Sequence, residues 1–294
     1  MSDTPASLLT VAKAIEVAAG PAEGSRIAAV ALREVASVLA GIQSATAEPP
    51  DTVEDLHVQA AALQAATEQL ARLSAAVGYW SPPMTASAWE RLWPTLLSEH
   101  ASTRTHGMVS ELAAYPASLA AYAFGIGAVA AGRYERVATL LSTPIPSDNR
   151  PWRPLIEVVS PYLLGDRGAV QLPGATSRIW PFSDHVHSVA RPWFADLVPD
   201  DADFERQFDR FETLSALARY WLDGPPRADA WVYLGRLRRH GRYLDDATVN
   251  LLTEPGRQSP ATELLRTLGC PEDEMSTTLE DFHAAARKVL AQVF

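Results

Sequence analysis

Two histidines, His185 and His187, flanked by Asp184, form the densest group of potential metal or acid–base ligands in this 294-residue chain. On a strand the two imidazoles would share a face and could grip a divalent ion. Glu157 or Asp184, brought in by the fold, would then complete the site of a metal-dependent hydrolase. Ser183-Asp184, however, reads as a helix N-cap, and on a helix residues i and i+2 point about 200° apart. The spacing therefore predicts a capped helix start with exposed histidines and no metal. Neither His-Glu-x-x-His nor paired Cys-x-x-Cys occurs to change that reading.

Other catalytic patterns are missing in the same way. No Gly-x-x-x-x-Gly-Lys-Ser/Thr loop is present, and no Gly-x-Gly-x-x-Gly follows a strand, which excludes the common phosphate cradles. There is no Gly-x-Ser-x-Gly elbow for acyl transfer. The single cysteine, Cys270, stands before Pro271 and beside Glu272, Asp273 and Glu274, whose charges disfavour a thiolate. It cannot form an internal disulfide, so a reducing, cytoplasmic setting is expected. The reading is a non-catalytic chain with no cofactor.

Charge narrows the partners. The chain carries 25 basic and 35 acidic residues, a formal net charge of −10, the wrong sign for coating nucleic acid or anionic lipid. One segment runs against this: between Arg227 and Arg242 arginines occur at 227, 236, 238, 239 and 242 against the single acid Asp229, with Trp231, Tyr233 and Tyr243 interleaved. Arg236, Arg238, Arg239 and Arg242 could form a nucleic-acid surface. Ala230, Tyr233, Leu234 and Leu237 supply an inward stripe, so the simpler reading is the solvated or acid-paired back of a helix. The acids of 271–281 are a possible internal counterpart. A protein partner is expected instead, docked by side chains in irregular, Pro- and Arg-rich stretches: Trp152, Arg153, Arg178, Trp180 and Trp193.

The elements that must position these residues are helices. Ala28, Ala31, Val35, Val38 and Ile42 step by three and four, and after Pro49-Pro50 so do Val53, Leu56, Ala60, Leu63, Thr67, Leu70, Ser74 and Val77. Phe204, Phe208, Phe211, Ser215, Ala218 and Leu222 form an aromatic stripe with Asp203, Arg206 and Arg210 on other faces. Residues 116–132 carry no charge. That run is shorter than the roughly 20 apolar residues of a membrane span and rich in Ala and Gly, so it reads as a central helix buried on all sides, with Ala121, Gly125 and Ala128 admitting close neighbours. Ser259-Pro260 signals a capped helix start, and Thr277-x-x-Glu280 has capping-box spacing. Alternating strand patterns do not persist.

The fold expected is all-α, an irregular multi-helix bundle or array of helical hairpins. Residues 1–48 read as a semi-independent N-terminal helical hairpin hinged at Pro49-Pro50, and 49–294 as the main helical domain. Irregular segments fall at 43–51, 81–83, 143–154, 165–181 and 223–227. Gly132-Arg133-Tyr134 and Gly241-Arg242-Tyr243 begin two similar stretches that read as a helix, a tight glycine turn and a second helix, weakly like a tetratricopeptide hairpin but too far apart for its repeat of about 34 residues.

Four stretches carry a further likeness: Tyr115-Pro116-Ala117-Ser118-Leu119-Ala120-Ala121-Tyr122 leading into Gly132-Arg133-Tyr134; Pro181-Phe182-Ser183-Asp184-His185-Val186; Phe208-Asp209-Arg210-Phe211-Glu212-Thr213-Leu214; and Trp231-x-x-x-Gly235-Arg236-Leu237. Over roughly residues 110–240 the chain resembles a non-catalytic helical module of multidomain bacterial conflict and anti-phage proteins. There the module follows sirtuin-like, Toll/interleukin-receptor-like or P-loop NTPase effector domains. Here no effector accompanies it, so the resemblance implies a sensor or scaffold acting without its enzyme or with one encoded separately, and no catalytic residue is carried over.

Overall fold

The computed structural model describes residues 21–47, 52–80, 86–97, 108–145, 152–158, 172, 181–224, 232, 234–236 and 259–291. Among them are nine α-helices: α1 (Pro21–Ala47), α2 (Val53–Trp80), α3 (Ala86–Leu96), α4 (Met108–Ala130), α5 (Tyr134–Ser142), α6 (Pro181–Ala190), α7 (Asp201–Leu222), α8 (Pro260–Thr267) and α9 (Glu272–Ala291). The extended structure described is one antiparallel pair of two-residue strands, β1 (Pro144–Ile145) against β2 (Arg153–Pro154). The architecture is all-α, as the periodicity predicts.

The charge-free run becomes α4, the axis of the bundle. Every residue from Leu112 to Val129 is buried. It is the one described helix long and apolar enough to cross a membrane, and its apolar stretch, Glu111–Ala130, lies wholly inside the protein. Its most extensive neighbour is α2, while α7, α5, α6 and part of α1 cover the remaining faces. Small residues set the α2–α4 approach. A Cβ at Gly78 would stand 2.1 Å from the Phe124 carbonyl oxygen, and one at Gly127 2.3 Å from that of Ala75. Neither position has room for a methyl group.

The seams of α1 and α2 face inward as spaced: Ala31, Val35, Val38 and Ile42 on one helix, and Leu56, Ala60, Leu63, Thr67, Leu70, Ser74 and Val77 on the other, are buried. Val53, at the start of the second seam, is 43% exposed. Thr67 satisfies its hydroxyl by donating to the Leu63 carbonyl at 2.6 Å. Helix α1 touches α3 and α4 as well as α2, so it packs onto the bundle on several sides. Residues 1–20 and the Pro49-Pro50 hinge lie outside the described residues.

Caps close several ends. Thr52 and Asp55 form a reciprocal box at the start of α2, Thr52 Oγ1 accepting from the Asp55 amide and Asp55 Oδ2 from the Thr52 amide. Asp200 Oδ1 accepts from Asp203 N, and Ser259 Oγ from Thr262 N, the latter where the Ser-Pro pair places it. Thr277 and Glu280 do not cap anything: they lie inside α9, which begins earlier, behind Pro271 and with Glu272, Asp273 and Glu274 in its first turn. The turn between α4 and α5 is the one expected at Gly132, which takes a left-handed φ of 68°. Its counterpart at Gly241 falls outside the described residues.

Candidate functional site

The polar core of the protein lies where α4, α6 and α7 meet. The aromatic stripe of α7 is buried at Phe204, Phe208 and Phe211, as spaced. A second stripe runs beside it. Glu205, Asp209 and Glu212 recur at i, i+4 and i+7, one position on from the phenylalanines, and this carries Asp209 and Glu212 into the interior at 8% and 3% exposure.

Glu212 is the hub. Tyr122 O–H of α4 donates to its Oε1 at 3.0 Å, and Ser183 O–H of α6 donates to the same oxygen at 2.6 Å. The backbone N–H of Arg236 divides itself between Glu212 Oε2 at 3.1 Å and Ser183 Oγ at 3.0 Å. Burial pushes the Glu212 carboxyl up to about 7, against the pull of these donors and of the Arg236 charge. Burial, and after it the same carboxyl, hold the Tyr122 phenol well above its ordinary range.

Arg236 closes the site from outside. Its guanidinium lies over the Phe208 ring, 5.8 Å from the centroid, with Nη2 2.9 Å from Glu205 Oε1 and Nε 3.9 Å from Asp209 Oδ1. Asp209 is pushed up to about 8 by burial, with Arg236 pulling down and Glu212 and Glu205 pushing up. Gly235 precedes it with φ 55°, its α-carbon pressed on the Glu212 carboxyl: a Cβ there would stand 2.0 Å from Oε2. Only glycine meets both conditions.

A second buried pair lies on the same two helices. Tyr115 OH and His185 Nε2 are 2.7 Å apart, the rings stacked at 5.9 Å, and burial raises the phenol. His187 packs on the rings of Phe204 and Phe208, both at 5.1 Å. The expectation of exposed histidines on a helix cap is thereby corrected. Helix α6 begins at Pro181, so Ser183 and Asp184 lie inside its first turn, and His185 is 1% exposed. The cause is tertiary, since Ser183 spends its hydroxyl on Glu212 instead of on the helix end. Among the described residues no group of three or more His, Cys, Asp or Glu is placed to hold a metal.

The remaining sites sort by burial. Trp152 is 59% exposed and Arg153 half-buried, adjoining or within β2. Trp193, expected at a partner surface, is 3% exposed and belongs to the core, in the short 3-10 turn Arg191–Phe194 packed against α2. Arg178 and Trp180 lie outside the described residues, as do Arg238, Arg239 and Arg242. Of the arginine segment, Arg236 is acid-paired, but with α7 and not with the acids of 271–281. Cys270 is 5% exposed, and its thiol is raised by burial and by Glu274, Asp273 and Glu272 against a hydrogen bond to Thr278.

Comparison of the chain with protein-family profiles, with curated proteins and with solved structures finds no match in any of the three. The stretches that carry the resemblance noted in the sequence do meet in space: Tyr122, Ser183, Glu212 and Arg236 come from one each.

Proposed function

We propose that this protein is a non-catalytic helical scaffold or regulatory protein that binds a protein partner through the surface around Trp152. The observation that carries this reading is the presentation of that side chain. Trp152 is 59% exposed, yet the backbone beside it is pinned. Arg153 and Pro154 pair with Ile145 and Pro144, Leu155 N donates to Thr143 O at 2.9 Å, and Leu155, Ile156 and Val158 are buried directly after it. A large aromatic ring held out on a fixed backbone loses little freedom on binding, which is what an interface anchor requires. The acids of α7 support the same reading from the other side, because the half-exposed Glu205 and the buried Asp209 and Glu212 are engaged in holding Arg236 and the polar core together.

The setting that fits is the bacterial cytoplasm, in a conflict or defence system; the single cysteine, Cys270, and the resemblance over residues 110–240 support it. Affinity capture from the native host with the full chain and with Trp152→Ala tests the proposal. The full chain should retain a specific partner, and Trp152→Ala should lose it by about thirtyfold, the scale of an interface hot spot. Recovery of the full chain alone, or equal retention by both chains, would overturn it.

A further inference from the structure

We propose that residues 5–18 dock as a helix along the outer stripe of α1, antiparallel to it, closing a hairpin whose second helix is α1 itself. The proposal does not depend on the Trp152 reading, and its test needs the chain alone.

Helix α1 has two apolar faces. One is the buried seam on α2, formed by Ala31, Val35, Val38 and Ile42. The other lies about 100° farther round the helix and runs through Leu32, Ala36, Leu39 and Gln43, with Ala40 beside it. Leu39 is half-buried and Ala36 and Ala40 are exposed, while Leu32 is 56% exposed. Continued toward Pro21, the same spacing falls on Ala29, Ser25 and Ala22, so the whole stripe carries no charge. The exposed side of α9 is the contrast: it carries Glu280, Asp281, Arg287 and Lys288, as a face turned to water does. A charge-free outer stripe beside a filled inner seam is the pattern of a helix with a second neighbour.

The stretch that leads into α1 ends where this stripe begins. In it Leu8, Val11, Ile15 and Ala18 step by three and four, with Thr10, Lys13 and Glu16 on other faces, and Thr4-Pro5 supplies a capped start. Ala19-Gly20 then serves as a two-residue connection to Pro21, which opens α1 at the position where a helix accepts proline. A helix over 5–18 is about 21 Å long, and Leu32 stands about 17 Å along α1 from Pro21. Folded back, the segment therefore covers Leu32 and ends near the level of Ala36.

Register singles out this stripe. Folded about Gly20, Leu8 comes level with Leu32, Val11 with Ala29, Ile15 with Ser25 and Ala18 with Ala22. The larger side chains of the segment thus oppose small residues near the turn, and leucine opposes leucine at the far end. The inner seam is already taken by α2. A second copy of the chain would compete with a segment tethered beside the stripe at an effective concentration of roughly millimolar.

Cross-linking in the full chain tests the docking. With Leu8→Cys and Leu32→Cys, a short bis-maleimide should join the two positions within one chain, identified by mass spectrometry of the linked peptides. Pairing Leu8→Cys with Arg33→Cys instead keeps the level but moves about 100° round α1, and the yield should fall at least about fivefold. In a chain carrying Leu32→Cys, adding Leu8→Asp and Ile15→Asp should raise the rate at which that thiol reacts with a small maleimide by at least about tenfold, with the thermal transition followed by circular dichroism reporting that the bundle is intact. Equal yields from the two cysteine pairs, a link that forms only between copies in a mixture of isotope-labelled and unlabelled chain, or a rate indifferent to the two aspartates would each overturn the proposal.

Discussion

Along α4, the face turned to α2 and the face turned to α6 and α7 keep their partners close by different physics. Toward α2 the contact is backbone on backbone, with Gly78 and Gly127 removing the side chains that would hold the helices apart and Ala75, Ala76 and Ala128 filling what remains. Toward α6 and α7 the contact is carried by long side chains with polar ends: Tyr115 reaching His185, and Tyr122 reaching Glu212 between the rings of Phe208 and Phe211. The first face is fixed by distance and tolerates no added volume. The second is fixed by satisfied donors and acceptors and tolerates no lost partner. One helix can therefore anchor a backbone-to-backbone pair on one side and a hydrogen-bonded polar site on the other.

The sharpest way to break the apolar face is to add volume where backbone opposes backbone. Replacing Gly78 and Gly127 together by valine places β-branched side chains against the carbonyls of Phe124 and Ala75, which cannot rotate away. The expected cost is about 5 kcal/mol or more, enough to prevent folding, read as loss of the cooperative thermal transition. A double variant that melts within a few degrees of the unaltered chain would show that α2 and α4 can slide apart.

Next in size is removal of the hub on the other face. Glu212→Ala leaves Tyr122 O–H and Ser183 O–H without their acceptor and the Arg236 N–H with Ser183 Oγ alone. A loss of about 3–5 kcal/mol is expected by denaturant unfolding. Glu212→Gln keeps an acceptor and should cost clearly less, and the loss in each variant relative to the unaltered chain should be larger at acid pH, the gap between the two variants staying constant because neither carries the titrating group. The sign follows from the raised carboxyl: its neutral form contributes stability that is fully present below pH 4.5 and is lost as pH rises through about 7. Equal losses in the two variants at pH 5 would mean that neither the side-chain volume nor the amide oxygen can stand in for the carboxyl itself.

How far each face was legible in the sequence follows from the same contrast. Volume effects announce themselves by composition, so a charge-free, Ala- and Gly-rich run identifies α4, and steps of three and four identify the seams of α1 and α2. The polar face was half hidden. An acid next to a phenylalanine reads as the solvent side of an amphipathic helix, and nothing local in α7 says that a distant turn will cover it. The signal available was the spacing itself, Glu205, Asp209 and Glu212 on one stripe, which the aromatic stripe beside it obscured. His185, Ser183 and Trp193 were misplaced for a related reason. Ser183 lies on α6 and Trp193 in a short 3-10 turn, and their burial is decided by α2, α4 and α7, elements far away in the chain. The acid partner of Arg236 was anticipated as a kind but not as a place, because 271–281 is richer in acids than the three residues that hold it.

A smaller effect separates the two tyrosines of the polar face. Tyr122→Phe removes one of three donors to Glu212, and Tyr115→Phe removes the partner of His185. Each should cost about 1–2 kcal/mol, the scale of one buried hydrogen bond. Tyr122→Phe alone should raise the Glu212 carboxyl further, because that donor favours the charged form. A carboxyl titration by isotope-edited infrared spectroscopy that does not move in Tyr122→Phe would show that the phenol is a spacer.

The smallest expected change decides whether the polar face is one network or two separate pairs. Tyr115, Ser118 and Tyr122 fall at i, i+3 and i+7, so Ser118 lies between the two tyrosines on the same side of α4. It is wholly buried, and its hydroxyl meets no hydrogen-bond partner among the described residues. If the pairs are separate, Ser118→Ala deletes a polar atom that had already lost its water and gained nothing, and the variant should be unchanged or more stable by up to about 1 kcal/mol. Ser74, buried in the seam of α2 with its hydroxyl likewise unpaired, gives the apolar face a matched control, and Ser74→Ala should behave the same way. If instead Ser118 relays between Tyr115 and Tyr122, Ser118→Ala should destabilise by more than about 1 kcal/mol while Ser74→Ala does not. The costs of Tyr115→Phe and Tyr122→Phe should then stop adding. Additive tyrosine costs with a neutral Ser118→Ala would confine the coupling of distant segments to Glu212, leaving His185 and Tyr115 as a separate pair within the core.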